Sequence, residues 1–183
     1  MMWLLLLPGV YLQAQETLSA AEQADLRLMY AEEQMARDVY DSLFARWAVN
    51  PFGNIRQSER RHMAAMRTLL DRYGIPVEEP VAGRFQDASL QRLYTEGVTS
   101  GSSGFAAALR AGALVEEADI RDLKECMRRT LRKDILEEYQ YLLEGSERHL
   151  AAFSRRLSRE GMVYAPVILP AAEYKRIIDQ QDH

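Results

Sequence analysis

Glu59 and His62 stand three residues apart in Ser58-Glu59-Arg60-Arg61-His62, a strongly helical stretch. That spacing puts a carboxylate and an imidazole one turn apart on the same helix face. Helical bundles present metal ligands to their interior in this way. The chain has three histidines, and a second follows the same tripeptide in Ser146-Glu147-Arg148-His149. Here the echo is imperfect. A glutamate three residues before His149 would complete the pair, but that position is Ser146, and Glu147 points elsewhere.

Other acids lie on helical stripes. Glu33 falls among Met29, Tyr30, Ala36 and Tyr40. A carboxylate in an apolar stripe is costly unless paired or bound to metal. Its neighbour Glu32, about 100° around the helix, is expected to be solvated. Further on, Leu109, Ala113, Glu116 and Ile120 continue one face, with Asp119 one turn from Glu116. Asp122, another turn on, reads as solvated. Together Glu33, Glu59, His62, Glu116, Asp119 and His149 form a six-ligand set able to bind two metals. Four carboxylates balance about two divalent cations. Oxygen and imidazole donors suit iron first, with manganese or zinc as alternatives. In this set Asp119 takes the place of the missing glutamate, and a single metal is the fallback.

These residues need helices to position them. Periodicity predicts helices over about Ala20 to Ala48, Ile55 to Tyr73, Phe105 to Met127 and Leu131 to Arg159, with a last one from Pro170 to about Gln180. Ser19 and Glu22 form a capping box before the first. Gly74-Ile75-Pro76 stops the second. Residues 74–102, rich in Gly, Pro and Ser, read as a long irregular connection with one short helix near Ser89 to Glu96. Val163 to Leu169 reads as extended. The expected fold is all-α: a ferritin-like four-helix bundle with one long crossover between the second and third long helices and a short C-terminal helix.

Composition sets the outer bounds. A chain of 183 residues can bury one substantial core. Its net charge of −4 gives no electrostatic reason to expect nucleic acid or anionic membrane. The single cysteine, Cys126, allows neither an internal disulfide nor a cysteine metal knuckle, and reads as a packing residue. Residues 1–14 read as a truncated signal peptide: an apolar run, a small residue at Ala14, and no basic start. Residues 15–183 read as one ferritin-like domain, exported to the periplasm or outside the cell. The apolar run is too short to span a bilayer, and Pro8 interrupts it.

Glu33-Gln34-Met35-Ala36-Arg37-Asp38-Val39-Tyr40 resembles the Glu-x-x-Ala-Arg-x-x-Tyr pattern of rubrerythrin-type ferritin-like proteins. Glu59-Arg60-Arg61-His62 and Glu116-x-x-Asp119 are similar to that group's ligand pairs on its second and third helices. The resemblance implies that Glu33 binds iron, that Tyr40 and Arg37 lie behind the ligands, and that Asp119 binds according to redox state. More closely, the chain resembles a prokaryotic ferritin-like family of unknown function, domain of unknown function 2202. Met29 to Tyr40, Ser58 to Met63, Leu69 to Pro76, Ala108 to Leu123 and Gly145 to Phe153 carry that likeness. It implies fold and metal binding but no reaction.

Rubrerythrins add a four-cysteine iron site, which one cysteine cannot build. An oxidoreductase acting on peroxide or dioxygen at a di-iron or di-manganese centre would therefore draw electrons from an external reductant. The alternatives are a non-catalytic metal-binding or iron-handling module, and a structural bundle without metal. A homodimer is compatible with each.

Overall fold

The computed structural model describes residues 17–181, which form six helices and no strand. The N-terminal apolar segment, read above as a signal peptide, lies outside the described residues. No described helix is long and apolar enough to cross a membrane.

Helix α1 spans Ala20–Trp47. Its capping box forms as its sequence dictates: Glu22 N–H donates to Ser19 Oγ at 3.2 Å, and Ser19 N–H donates to Glu22 Oε2 at 2.8 Å. Helix α2 spans Phe52–Arg72 and starts three residues before the expected Ile55. The reason is Phe52, fully buried beside Tyr40 and Phe153, with ring centroids 6.5 and 5.6 Å away. Gly74, at φ 65°, turns the chain out of α2, and Ile75 N–H donates back to Leu70 O at 2.8 Å.

The crossover holds more helix than its composition implied. Helix α3 spans Ala88–Ser102, with Asp87 accepting from the Ser89 and Leu90 N–H groups at 2.7 and 3.1 Å. It packs against both α1 and α4, the latter spanning Phe105–Arg128. Its glycines make this possible. A Cβ at Gly101 would stand 2.5 Å from Leu43, and one at Gly97 would touch Val39. Glycine here serves close approach rather than a loop.

Helix α5 spans Lys133–Arg159 and packs antiparallel to α4 after a short turn. Helix α6 spans Ala171–Gln181 and rests on α5. Helix α1 lies against α2, α3 and α4, and α2 also meets α5. The core runs between these helices and includes Leu26, Met29, Val39, Tyr40, Met66, Leu109, Ile120, Leu142 and Phe153. Cys126 packs there as a buried free thiol.

The stretch from Val163 to Leu169 pairs with no strand. It is fixed by Glu117, which is fully buried on α4. The Glu117 carboxylate accepts from Tyr164 Oη at 2.5 Å, Val167 N at 3.0 Å, Ile168 N at 2.8 Å and Leu169 N at 2.7 Å. A buried carboxylate with four donors is satisfied without a cation.

Candidate metal centre

Four helices bring the chemistry together. Helix α1 supplies Glu33, α2 supplies Glu59 and His62, α4 supplies Glu116 and Asp119, and α5 supplies His149. All six are buried, none more than 8 % exposed. Glu33, Glu59 and His62 place one ligand atom each within 4.8 Å of the others, and so do Glu59, Glu116 and His149. Glu59 belongs to both groups.

The distances show how that sharing works. His62 Nδ1 lies 2.9 Å from Glu59 Oε2 and 3.2 Å from Glu33 Oε2. His149 Nδ1 lies 2.9 Å from Glu59 Oε1 and 3.5 Å from Glu116 Oε2. Each oxygen of Glu59 therefore serves one histidine. The imidazole rings stack, with centroids 5.6 Å apart and planes 24° from parallel. Bonds of about 2.1 Å at right angles place neighbouring donor atoms about 3.0 Å apart, so these spacings match the edges of a coordination shell.

Several of these atoms lack a hydrogen-bond partner. Glu33 Oε1, Glu59 Oε1, Asp119 Oδ1 and His149 Nδ1 are buried without one. The 2.9 Å contact between Glu59 and His149 is close but poorly aligned for a hydrogen bond. Buried polar atoms are nearly always paired, and a cluster of exceptions points to a missing ion or water. The donor set and its orphaned atoms fit a divalent metal.

Burial and mutual charge set the protonation of the metal-free centre. For His62, burial opposes the charged ring, but Glu33 and Glu59 overcome it and raise the ring to about 11. His149 follows the same pattern beside Glu59 and Glu116 and reaches about 10. Glu59 is pushed up by burial, yet its contacts with His149 and His62 win and hold it below the usual carboxylate range. Burial carries Glu33 well above that range, aided by Asp119 and opposed by His62. Burial also raises Glu116, against the pull of His149. These shifts favour charged imidazoles beside an ionised Glu59.

Around the ligands, Tyr40 donates to Glu116 Oε1 at 2.5 Å and lies 3.2 Å from the Gly112 carbonyl. Ser146 Oγ sits against Asp119 Oδ2 and 3.0 Å from the Leu142 carbonyl. Asp119 thus reaches across from α4 to the position where α5 has a serine. Burial, reinforced by Glu116 and Glu59 and resisted by the Ser146 hydroxyl, pushes Asp119 up to about 7. Asp119 belongs to neither three-residue group. Arg37 pairs with Asp38 at 2.6 Å and meets Met63 Sδ at 3.3 Å. Asp38 in turn accepts from Gly83 N at 2.8 Å and ties the crossover to α1.

Two positions escaped the reading of the sequence. Gly145 is one: a Cβ there would lie 2.4 Å from His62 Cε1 and 2.6 Å from its Nε2. A glycine inside an otherwise strong helix pattern was the available signal. Glu32 is the other. Expected in solvent, it is only 4 % exposed, because α3 and α4 cover the face of α1 that a single-stripe helix would leave open. Asp122, also expected in solvent, is half-buried.

Fold and site define a helical bundle with a buried carboxylate–histidine cluster. Residues 22–181 match the family described as Uncharacterized protein domain (DUF2202), and the chain belongs to that family. It is 37 % identical over 165 residues to the uncharacterized protein MJ0754 of Methanocaldococcus jannaschii, covering 89 % of each chain. The crystal structure of that hypothetical protein superposes with a TM-score of 0.86 at 36 % identity, covering 90 % of this chain and 95 % of the other.

Proposed function

We propose that this chain is a ferritin-like metalloprotein, related to the rubrerythrin type, that binds two metal ions and acts as an oxidoreductase on peroxide or dioxygen. The observation that carries the reading is Glu59, whose two oxygens each face a different histidine on a different helix. One carboxylate shared between two ligand groups is the arrangement a dinuclear centre needs. Glu33, Glu59 and His62 would hold one ion, and Glu59, Glu116 and His149 the other. Iron fits this oxygen and nitrogen set best, with manganese or zinc as alternatives.

Bound iron or manganese would supply electron transfer and Lewis acidity. The chain's own residues supply the rest. The apolar core around Met29, Tyr40, Met66 and Phe153 keeps bulk water from the cluster. Tyr40 fixes the Glu116 carboxylate by its hydrogen bond. The contact between Ser146 and Asp119 keeps that carboxyl beside the ligands without placing it in either group. Reducing one hydrogen peroxide to two waters takes two electrons and two protons. With a single, buried cysteine, the chain needs an external reductant to restore the electrons.

Elemental analysis of protein purified without a histidine tag tests the reading, together with turnover of peroxide by the iron-loaded form. About two metals per chain and reductant-dependent peroxide consumption are expected. Full metal occupancy without turnover would identify a metal-handling module, and no metal at all would exclude the centre.

A further inference from the structure

A line of carboxylates leads from the protein surface to the centre. It starts in a cleft of about 320 Å³, formed where the N-terminal end of α3 meets α1 and α4. Glu32, Asp87, Asp122 and Glu125 contribute acids to its lining, against Arg121 and Arg129. Both arginines are engaged: Arg121 with Asp122 at 2.6 Å, and Arg129 with Asp25 at 2.7 Å. Asp122, with its side chain 22 % exposed, stands at the mouth. Glu32 lies behind it at 4 % exposure, and its Oε2 has no hydrogen-bond partner. Asp119 stands one turn before Asp122 on α4, and Glu33 adjoins Glu32 on α1; each has one unpartnered oxygen, Oδ1 and Oε1.

Glu32 interacts directly with Asp122 and, through charge, with Asp119 and Glu33. The cation that acts on Glu32 through charge is Arg121, which is already paired with Asp122. Burying a carboxyl with an unpartnered oxygen is expensive, and packing alone gives no reason for it. The metal ligands account for Glu33. They do not account for Glu32, which lies about 100° around α1 from Glu33.

We propose that Asp122 and Glu32 form the entry route by which a divalent metal ion passes from the cleft, by way of Asp119, into the centre. A hydrated cation meets net negative charge in the cleft and exchanges water for carboxylate oxygens one step at a time. The route presupposes the metal centre proposed above. It adds a property that the centre alone lacks: Glu32 and Asp122 govern how fast metal enters and leaves, and not how tightly it is held.

Stopped-flow loading with cobalt(II), followed by its visible absorption, tests the route on the full chain. The variants are Glu32→Gln and Asp122→Asn, with Glu144→Gln on the exposed face of α5 as a charge-matched control. Focused charge in a cleft raises association rates by about 10-fold or more. Association and chelator-driven release should therefore both slow about 10-fold in the two cleft variants, leaving Kd and stoichiometry unchanged. The control should load at the unaltered rate. Arg121→Gln, which removes a cation from the mouth, should load faster, an effect that damage to the fold would not produce.

Unaltered loading rates in both cleft variants would overturn the route while leaving the centre intact. A raised Kd at an unaltered association rate would also overturn it, by making Glu32 a ligand. Failure of the unsubstituted protein to bind cobalt would instead count against the centre itself.

Discussion

Gly145 shows how little room the ligands have. The His62 ring is held between the stacked His149 ring and the edge of Tyr141, with centroids 5.6 and 5.3 Å away. Gly145 forms a further wall, and a methyl group there would stand 2.4 Å from the ring. Gly145→Ala should therefore displace His62. We expect a loss of about 1–3 kcal/mol in folding stability, the usual cost of overpacking, and metal affinity weakened about 10-fold or more. Chemical denaturation of the metal-free protein and a competitive metal titration measure the two effects separately. The same scale explains what the sequence could and could not convey about the ligands. Glu59 and His62 are legible because both lie on one helix at fixed spacing. The pairing of Glu59 with His149 joins α2 to α5, and no local pattern encodes it. Ser146 is visible as a missing glutamate, but its contact with Asp119 depends on how α4 meets α5.

Among the helices, α1 and α3 account for most of what was misread. Helix α1 buries Asp25, Glu32, Glu33, Gln34 and Asp38 along with its apolar residues. Its stripe logic is blurred because neighbours cover more than one side. Helix α3 was legible only in part, since Gly97 and Gly101 resemble loop residues until Val39 and Leu43 are seen against them. Helix α4 carries a different kind of hidden acid. Glu117 binds the segment after α5 through three backbone N–H groups and Tyr164. Glu117→Gln replaces one acceptor oxygen with a donor that faces those N–H groups. A loss of about 2 kcal/mol is expected, in the range for hydrogen bonds to a buried charge. Hydrogen exchange should speed up at Val167, Ile168 and Leu169, with metal stoichiometry unaltered.

For the molecule as a whole, the centre ties stability to pH. His62 and His149 have folded values of about 11 and 10, against 6.5 for the free ring. Raised values stabilise the fold fully below pH 6.5, and that contribution is lost as pH climbs through the folded values. Asp119, raised from 3.8 to about 7, acts in the same direction at lower pH. The metal-free protein should therefore melt at progressively lower temperature between pH 6.5 and 10. Metal binding needs neutral imidazoles and releases their protons, so its stabilising increment should grow over the same range. Calorimetry with and without manganese(II) at several pH values measures both slopes. A metal-free melting temperature that rose with pH across this window would contradict the protonated centre.

Glu116 and Glu117 are neighbours on α4, about 100° apart around its axis. One faces the histidines, and the other grips the C-terminal segment. The segment before α6 is therefore latched to the same turn of α4 that carries Glu116. The anchor of a distant segment and one oxygen of the carboxylate–histidine cluster are thus aimed by adjacent residues of a single helix.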